Sequence, residues 1–300
     1  MPVLAETLEM PVYVVTAATG QLGQLVVRHL LHRVDADQIA VVVRNASRAT
    51  HPAEHGIEVR VADYDDPASL AGAFGAGDRV LLISGNQFGA RLTQHANVIA
   101  AAKSSGIAQL AYTSILGGPS ANFPVADDHH VTEQALLESG LPFTLLRNGW
   151  YTENYTSQLT AALHHGAVVG AAAPASRLAT AARADYAEAA AVVLVGAGHE
   201  NNVYELSGDT AWSLEEYAAE ISRQTASTVP YRQLPPADYE DFLAGLGLPT
   251  PMLSVFTATE AAIDRGELAD TGGDLRRLIG RPTTTLAESI AAELAELTSR

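Results

Sequence analysis

The residues best suited to chemistry in this 300-residue chain lie near its start, at Thr16-Ala17-Ala18-Thr19-Gly20-Gln21-Leu22-Gly23. They follow the apolar run Val12-Tyr13-Val14-Val15 and open a stretch in which Leu22, Leu25, Val26, His29 and Leu30 share one helical face. A buried strand that feeds a tight glycine turn and then a helix N-terminus turns free backbone N–H groups and the helix dipole toward a pyrophosphate. The spacing is Ala-x-x-Gly-x-x-Gly, with Ala17 in the first glycine slot, and a second apolar run at Ile39–Val43 supplies the next strand of a dinucleotide-binding unit. Ala17, Thr19, Gly20, Gln21, Leu22 and Gly23 are therefore the expected phosphate contacts. The competing reading is a turn that uses glycine for its shape alone.

The end of the second strand bears on which dinucleotide is bound. An NAD site places Asp or Glu there, on the ribose 2′-hydroxyl. This chain reads Val43-Arg44-Asn45, and Asp35 and Asp37 precede the strand. Arg44 and Arg48 could instead clamp a 2′-phosphate, which favours NADP(H), NADPH in its reduced form. Arg44 as a solvated surface charge is the alternative.

Other groups are ambiguous. Lys103, the chain's one lysine, has no Tyr four residues upstream, so the Tyr-x-x-x-Lys dyad of short-chain reductases is absent. Asp127-Asp128-His129-His130-Val131-Thr132-Glu133 falls in an expected helix, where only His129–Glu133 and His130–Glu133 could meet; a polar face with acids against the dipole is the better reading, and no metal site is expected. His164-His165 reads as a helix C-terminus. Asp63-Tyr64 is placed to meet an adenine ring, with a surface-loop role for Asp63 equally open. Asn148-Gly149-Trp150-Tyr151 could wall a flat substrate, helped by Phe88 and Phe123, although Trp150 and Tyr151 could equally seal packed halves. The catalytic group is left unassigned.

The elements that must position these residues alternate. Strands are expected near 12–16, 39–43, 57–62, 79–84, 108–114 and 142–147, with helices between them, which means an α/β fold with a Rossmann-type, doubly wound parallel sheet. Right-handed crossovers bring Gly20, Arg44, Asp63, Ser84-Gly85-Asn86, Thr113-Ser114 and Arg147-Asn148 to one edge. Residues 1–10 read as an extension, 11–150 as the nucleotide-binding domain, and 151–300 as a smaller α/β substrate-capping region packed on it, possible as one domain with it. That region should carry helices near 151–165, 184–196 and 213–225 and extended pieces at 167–172 and 203–207. Ser213-x-x-Glu216 and Thr285-x-x-Glu288 have the form of capping boxes and mark helix starts.

Composition narrows the class. Hydrophobic residues make up 47% of the chain, and 18 basic residues stand against 34 acidic ones, giving a net charge of −16. That balance disfavours nucleic acid. Without cysteine there is no thiolate chemistry and no disulfide. No run is long enough to span a membrane and no leader is legible, so a cytoplasmic protein is expected. A homo-oligomer is left open.

With these residues placed, the chain resembles the NmrA-like branch of the atypical short-chain dehydrogenase/reductases. It is most similar to the NAD(P)H:quinone oxidoreductase 2 type, with the triphenylmethane-dye reductases a near second. The resemblance runs through Thr16–Gly23, Ile39–Asn45, Ala62–Tyr64, Tyr112–Ser114, Leu145–Tyr155, Arg183–Tyr186, Val203–Leu206 and Leu278–Thr283. It implies NADPH held by the turn from Ala17 to Leu22, by Arg44 and by residues around Asn86 and from Asn148 to Glu153, with Arg147 beside them, and a quinone-like small molecule reduced in a cleft between halves. It implies no metal and no flavin. Two departures stand out: Ala17 replaces the usual Gly, and Gln134 replaces a lysine that follows the equivalent of Glu133. A regulator that senses NADP(H) without turnover, and a reductase of an imine, a dye or a biosynthetic carbonyl, are the alternatives.

Overall fold

The computed structural model describes residues 11–85, 87, 89–122 and 125–299. In chain order the strands are β1 (Tyr13–Thr16), β2 (Ile39–Val43), β3 (Glu58–Val61), β4 (Arg79–Leu82), β5 (Gln109–Ile115), β6 (Phe143–Asn148), β7 (Val168–Gly170), β8 (Arg177–Leu178), β9 (Asn202–Leu206), β10 (Trp212–Ser213) and β11 (Tyr231–Gln233). The helices are α1 (Gln21–Leu31), α2 (Thr50–Glu54), α3 (Pro67–Leu70), α4 (Arg91–Ser105), α5 (Ala126–Ser139), α6 (Glu153–Thr156) and α7 (Leu159–His165). They continue with α8 (Arg183–Val195), α9 (Leu214–Thr225), α10 (Pro236–Gly245), α11 (Thr250–Asp264), α12 (Asp274–Ile279) and α13 (Leu286–Ser299).

The main sheet has the order β3-β2-β1-β4-β5-β6-β9. β1 pairs in parallel with β2 and β4, and the β2–β3 and β4–β5 pairs are parallel as well. The direction of growth reverses between β1 and β4, which is where doubly wound sheets open a crevice for a ligand. β1, β2 and β5 are buried along their whole length, and in β1 and β2 that burial is written as the apolar runs Tyr13–Val15 and Ile39–Val43. Edge strand β3 (Glu-Val-Arg-Val) is half-exposed.

By internal packing the chain forms two compact units. The first comprises Met1–Thr113, Gln134–Thr144 and Ala190–Asn202; the second comprises Ser114–Glu133, Leu145–Ala189 and Val203–Arg300. The second has its own core, in which Leu159, Leu178, Trp212, Leu214, Tyr217, Ile221 and Ile290 are buried together. It also holds two small two-stranded sheets, β8–β10 and β7–β11.

Two differences from the sequence expectation have clear causes. The 203–207 segment, expected as an isolated extended piece, is β9 and adds a seventh strand to the sheet. The single helix expected over 151–165 is broken into α6 and α7, because the Gln158 N–H turns back to Tyr155 O three residues earlier (3.0 Å) in the tighter 3₁₀ pattern. Both capping boxes form. Ser213 Oγ accepts from Glu216 N–H (3.2 Å) while the Glu216 carboxylate accepts from Ser213 N–H (3.0 Å), and Thr285 and Glu288 exchange the same bonds. No helix among the described residues is long and apolar enough to cross a membrane.

Candidate active site

The glycine turn is built from the sheet outward. Thr16, at the end of β1, donates its hydroxyl hydrogen to Leu81 O (2.9 Å) and accepts from Ile83 N–H (3.1 Å), fastening the strand end to β4. Ala17 then takes a left-handed conformation at φ 49°, and its carbonyl accepts from Gly20 N–H (2.9 Å) to close the turn. An L-residue there costs roughly 1–2 kcal/mol, the physical reason a glycine suits this slot. At Gly23 a Cβ would lie 2.6 Å from Ala17 O and 2.7 Å from Ala18 Cα, so only glycine lets α1 pack this closely on the turn. The α1 N-terminus has no side-chain cap and no acid in its first turn, which leaves its N–H groups and dipole for an anion.

This turn forms one wall of a cleft of about 600 Å³ in the first unit. Ala17, Thr19, Gly20, Gln21, Leu22 and Gly23 line it, as do Arg44 and Arg48 from the end of β2, Asp63 and Tyr64 after β3, and Ser84 and Gly85 after β4. The first-unit side of the expected convergence is therefore present in one place. Asp63 Oδ1 accepts from Asp65 N–H (3.1 Å), which shapes its loop. The Tyr64 hydroxyl donates to Thr16 Oγ1, and burial pushes its pKa up, so Tyr64 is a fixed, neutral wall of the cleft. Asn86, Phe88 and Phe123 lie outside the described residues.

The β4 loop is held by groups that sequence reading did not single out. Ser84 N–H donates to Thr113 Oγ1 (2.9 Å), Gly85 N–H to His95 Nε2 (3.1 Å), and Arg91 Nε–H to Gly85 O (2.7 Å). His95 is only 1% exposed, and burial, with the nearby Arg91 charge, lowers its pKa to about 3. It stays neutral and serves as a hydrogen-bond acceptor. The signal was present in the sequence: Arg91, Gln94, His95 and Val98 recur at helical spacing, and all four are buried on α4.

The second unit holds the remaining candidates. Arg147, on β6, is committed to an ion-pair network: its Nε–H and Nη2–H donate to the two Glu133 oxygens (3.0 and 2.7 Å), and Nη1–H to Glu205 (2.8 Å). Ser114 Oγ–H donates to the same Glu133 (2.5 Å), and His130 Nε2 meets Gly118 O (2.6 Å). A Cβ at Gly118 would overlap the Arg147 guanidinium, so the loop after β5 closes directly over that side chain. Glu133 thus anchors Arg147 and Ser114. Asn148 is buried with Oδ1 lacking a hydrogen-bond partner among the described residues. Trp150 packs against the second unit's core. Tyr151 lies edge-on to Tyr186 (5.3 Å) and under the Arg183 guanidinium (4.7 Å), while both Glu153 oxygens accept from Arg183 N–H (2.8 and 3.0 Å) and so cap α8. His164 and His165 end α7.

A family model described as the NmrA-like family matches residues 12–299. The chain belongs to the NmrA-like family. It is 46% identical over 277 residues to quinone oxidoreductase 2 of Escherichia coli K12, covering 92% of this chain and 96% of that protein. The crystal structure of an NADPH-dependent quinone oxidoreductase from Escherichia coli complexed with NADPH superposes with a TM-score of 0.91 at 45% identity, covering 94% of this chain and 99% of that one. Triphenylmethane reductase from Citrobacter sp., complexed with NADP(H), superposes with a TM-score of 0.89 at 36% identity, covering 94% and 99%. The cleft beside Gly20 and Arg44 lies at the reversal point of a Rossmann-type sheet, which is where such folds take a nucleotide.

Proposed function

We propose that this NmrA-like protein is an NADPH-dependent oxidoreductase that reduces a planar conjugated small molecule, a quinone being the first candidate. The observation that carries the reading is the cleft itself: an uncapped, acid-free helix N-terminus on one side, and Arg44 and Arg48 with no carboxylate at the end of β2 on the other. Those features fit a pyrophosphate and a 2′-phosphate. The relatives named above, described as acting on quinones or triphenylmethane dyes, give the acceptor class.

NADPH, when bound, would supply the hydride. The chain's own task is positioning: the Ala17–Gly23 turn holds phosphate, Arg44 and Arg48 hold the extra phosphate, and the Ser84–Gly85 loop, braced by Thr113 and His95, presents a rigid edge. Asn148, Trp150, Tyr151 and Glu153 are the ligand contacts proposed in the second unit, with Asn148 Oδ1, which lacks a hydrogen-bond partner among the described residues, as the acceptor for a ligand N–H. A quinone needs little acid/base help, because the reduced oxygen is resonance-stabilised and takes its proton from water, so the missing Tyr-x-x-x-Lys dyad is no obstacle. The test is steady-state NADPH oxidation against a panel of quinones, triphenylmethane dyes and cyclic imines. Saturable turnover with quinones supports the reading; oxidation at the buffer rate with every acceptor leaves an NADP(H)-binding sensor in its place.

A further inference from the structure

The second unit contains a cavity of its own, of about 50 Å³, whose lining includes Tyr155, Tyr217, Tyr239, Phe242, Phe256 and Glu260. Water-sized guests occupy roughly 10–15 Å³ each on this measure, so the space admits a small head group rather than a dinucleotide. Glu260, on α11, is 4% exposed. Its Oε2 accepts from Ala171 N–H (2.9 Å) and Ala172 N–H (2.8 Å), which pins the carboxylate at the end of β7 and turns the group toward aromatic rings.

The electrostatics of this carboxylate are unusual. Burial pushes its pKa up, the Ala172 and Ala171 N–H groups pull it down, and the neighbouring Asp264 pushes it up again. No positive charge is among these influences; the nearby charged group is another acid. Buried carboxylates are as a rule paired with a cation, because desolvation of an unpaired one is costly. Aromatic side chains line the cavity beside this carboxylate, and the face of an aromatic ring attracts an organic cation. Tyr155 is held in place edge-on to Trp212 (5.2 Å) and to Tyr217 (6.1 Å), so that wall is rigid before any ligand arrives. His165, at the rim, is exposed.

We propose that this cavity is a binding site for a small primary ammonium ion, whose charged head meets Glu260 and whose substituent lies against Tyr155, Tyr239 and Phe242. The site is separate from the nucleotide cleft, since every residue lining it belongs to the second unit. The chain's net charge of −16 raises the local concentration of such cations around the whole protein and aids their capture.

The experiment is calorimetric titration of the full chain with ethylammonium and n-propylammonium chloride, against ethanol and 1-propanol as neutral isosteres and sodium chloride at equal ionic strength. It is run with and without saturating NADP⁺, so that its outcome does not depend on the cofactor reading. The ammonium ions bind and the alcohols and sodium do not. Glu260→Gln, which keeps the shape and the acceptor for both N–H groups, weakens ammonium binding at least tenfold. Phe242→Leu keeps the carboxylate, removes one π face and weakens binding several-fold. Failure of either ammonium ion to bind the wild-type chain, equal binding of the neutral alcohols, or unaltered affinity in both variants overturns the proposal.

Discussion

At the scale of single residues, the account turns on Arg44 and Ala17. If Arg44 meets the 2′-phosphate, Arg44→Ala removes a charge-assisted bond worth roughly 1.5–3 kcal/mol, an increase of about ten- to hundredfold in the NADPH dissociation constant. The NADH constant should barely move. Fluorescence titration with both cofactors checks this, and equal losses would mean that Arg44 is only a surface charge. Ala17 makes a different test. Its methyl sits on a backbone held at φ 49° where the turn faces the cleft, so Ala17→Gly removes both a conformational cost of roughly 1–2 kcal/mol and a side chain from the phosphate path. NADPH binding should tighten or stay the same; weaker binding would mean that the turn is organised around the methyl. Sequence reading found this position by its slot in the motif, but not its left-handed geometry, because backbone dihedrals are not visible in side-chain spacing. Arg147 shows the opposite limit. Its place at the end of β6 was legible, yet its partners Glu133 and Glu205 are remote in sequence and only the fold brings them together.

At the scale of elements, strands were legible wherever burial was complete. Val12–Val15 and Ile39–Val43 announce β1 and β2 because both faces are covered, and the two capping boxes mark α9 and α13 by local bonds alone. The extended piece expected at 167–172 contains β7, whereas β8, β10 and β11 were not legible, since two- or three-residue strands carry no periodicity and exist through tertiary pairing. Helix α4 also acts as an element, bracing the β4 loop through His95. Because the folded-state pKa of His95 is about 3 against an ordinary 6.5, the neutral ring's contribution is fully present above pH 6.5 and is lost as pH falls toward 3. Protonation there costs on the order of 5 kcal/mol. His95→Gln keeps an acceptor for Gly85 N–H without the titration. Urea unfolding from pH 7 to pH 4 should show the wild-type chain losing more stability than the variant; parallel curves would contradict a neutral, buried His95.

At the scale of the whole molecule, the sheet order β3-β2-β1-β4-β5-β6-β9, the cleft at its reversal point and membership of the NmrA-like family converge on a nucleotide-dependent reductase. The fold was readable from alternation of elements, and the cofactor class from one turn and one arginine. The acceptor class came from the resemblance rather than from the residues of the site, because fold does not determine substrate and Trp150, after β6, packs against the second unit's core. The most direct test of the central claim is kcat/KM for a single quinone measured with NADPH and with NADH on the wild-type chain. The account predicts saturable quinone reduction with NADPH favoured by at least tenfold; equal use of the two cofactors, or no oxidation above the buffer rate with either, would contradict it.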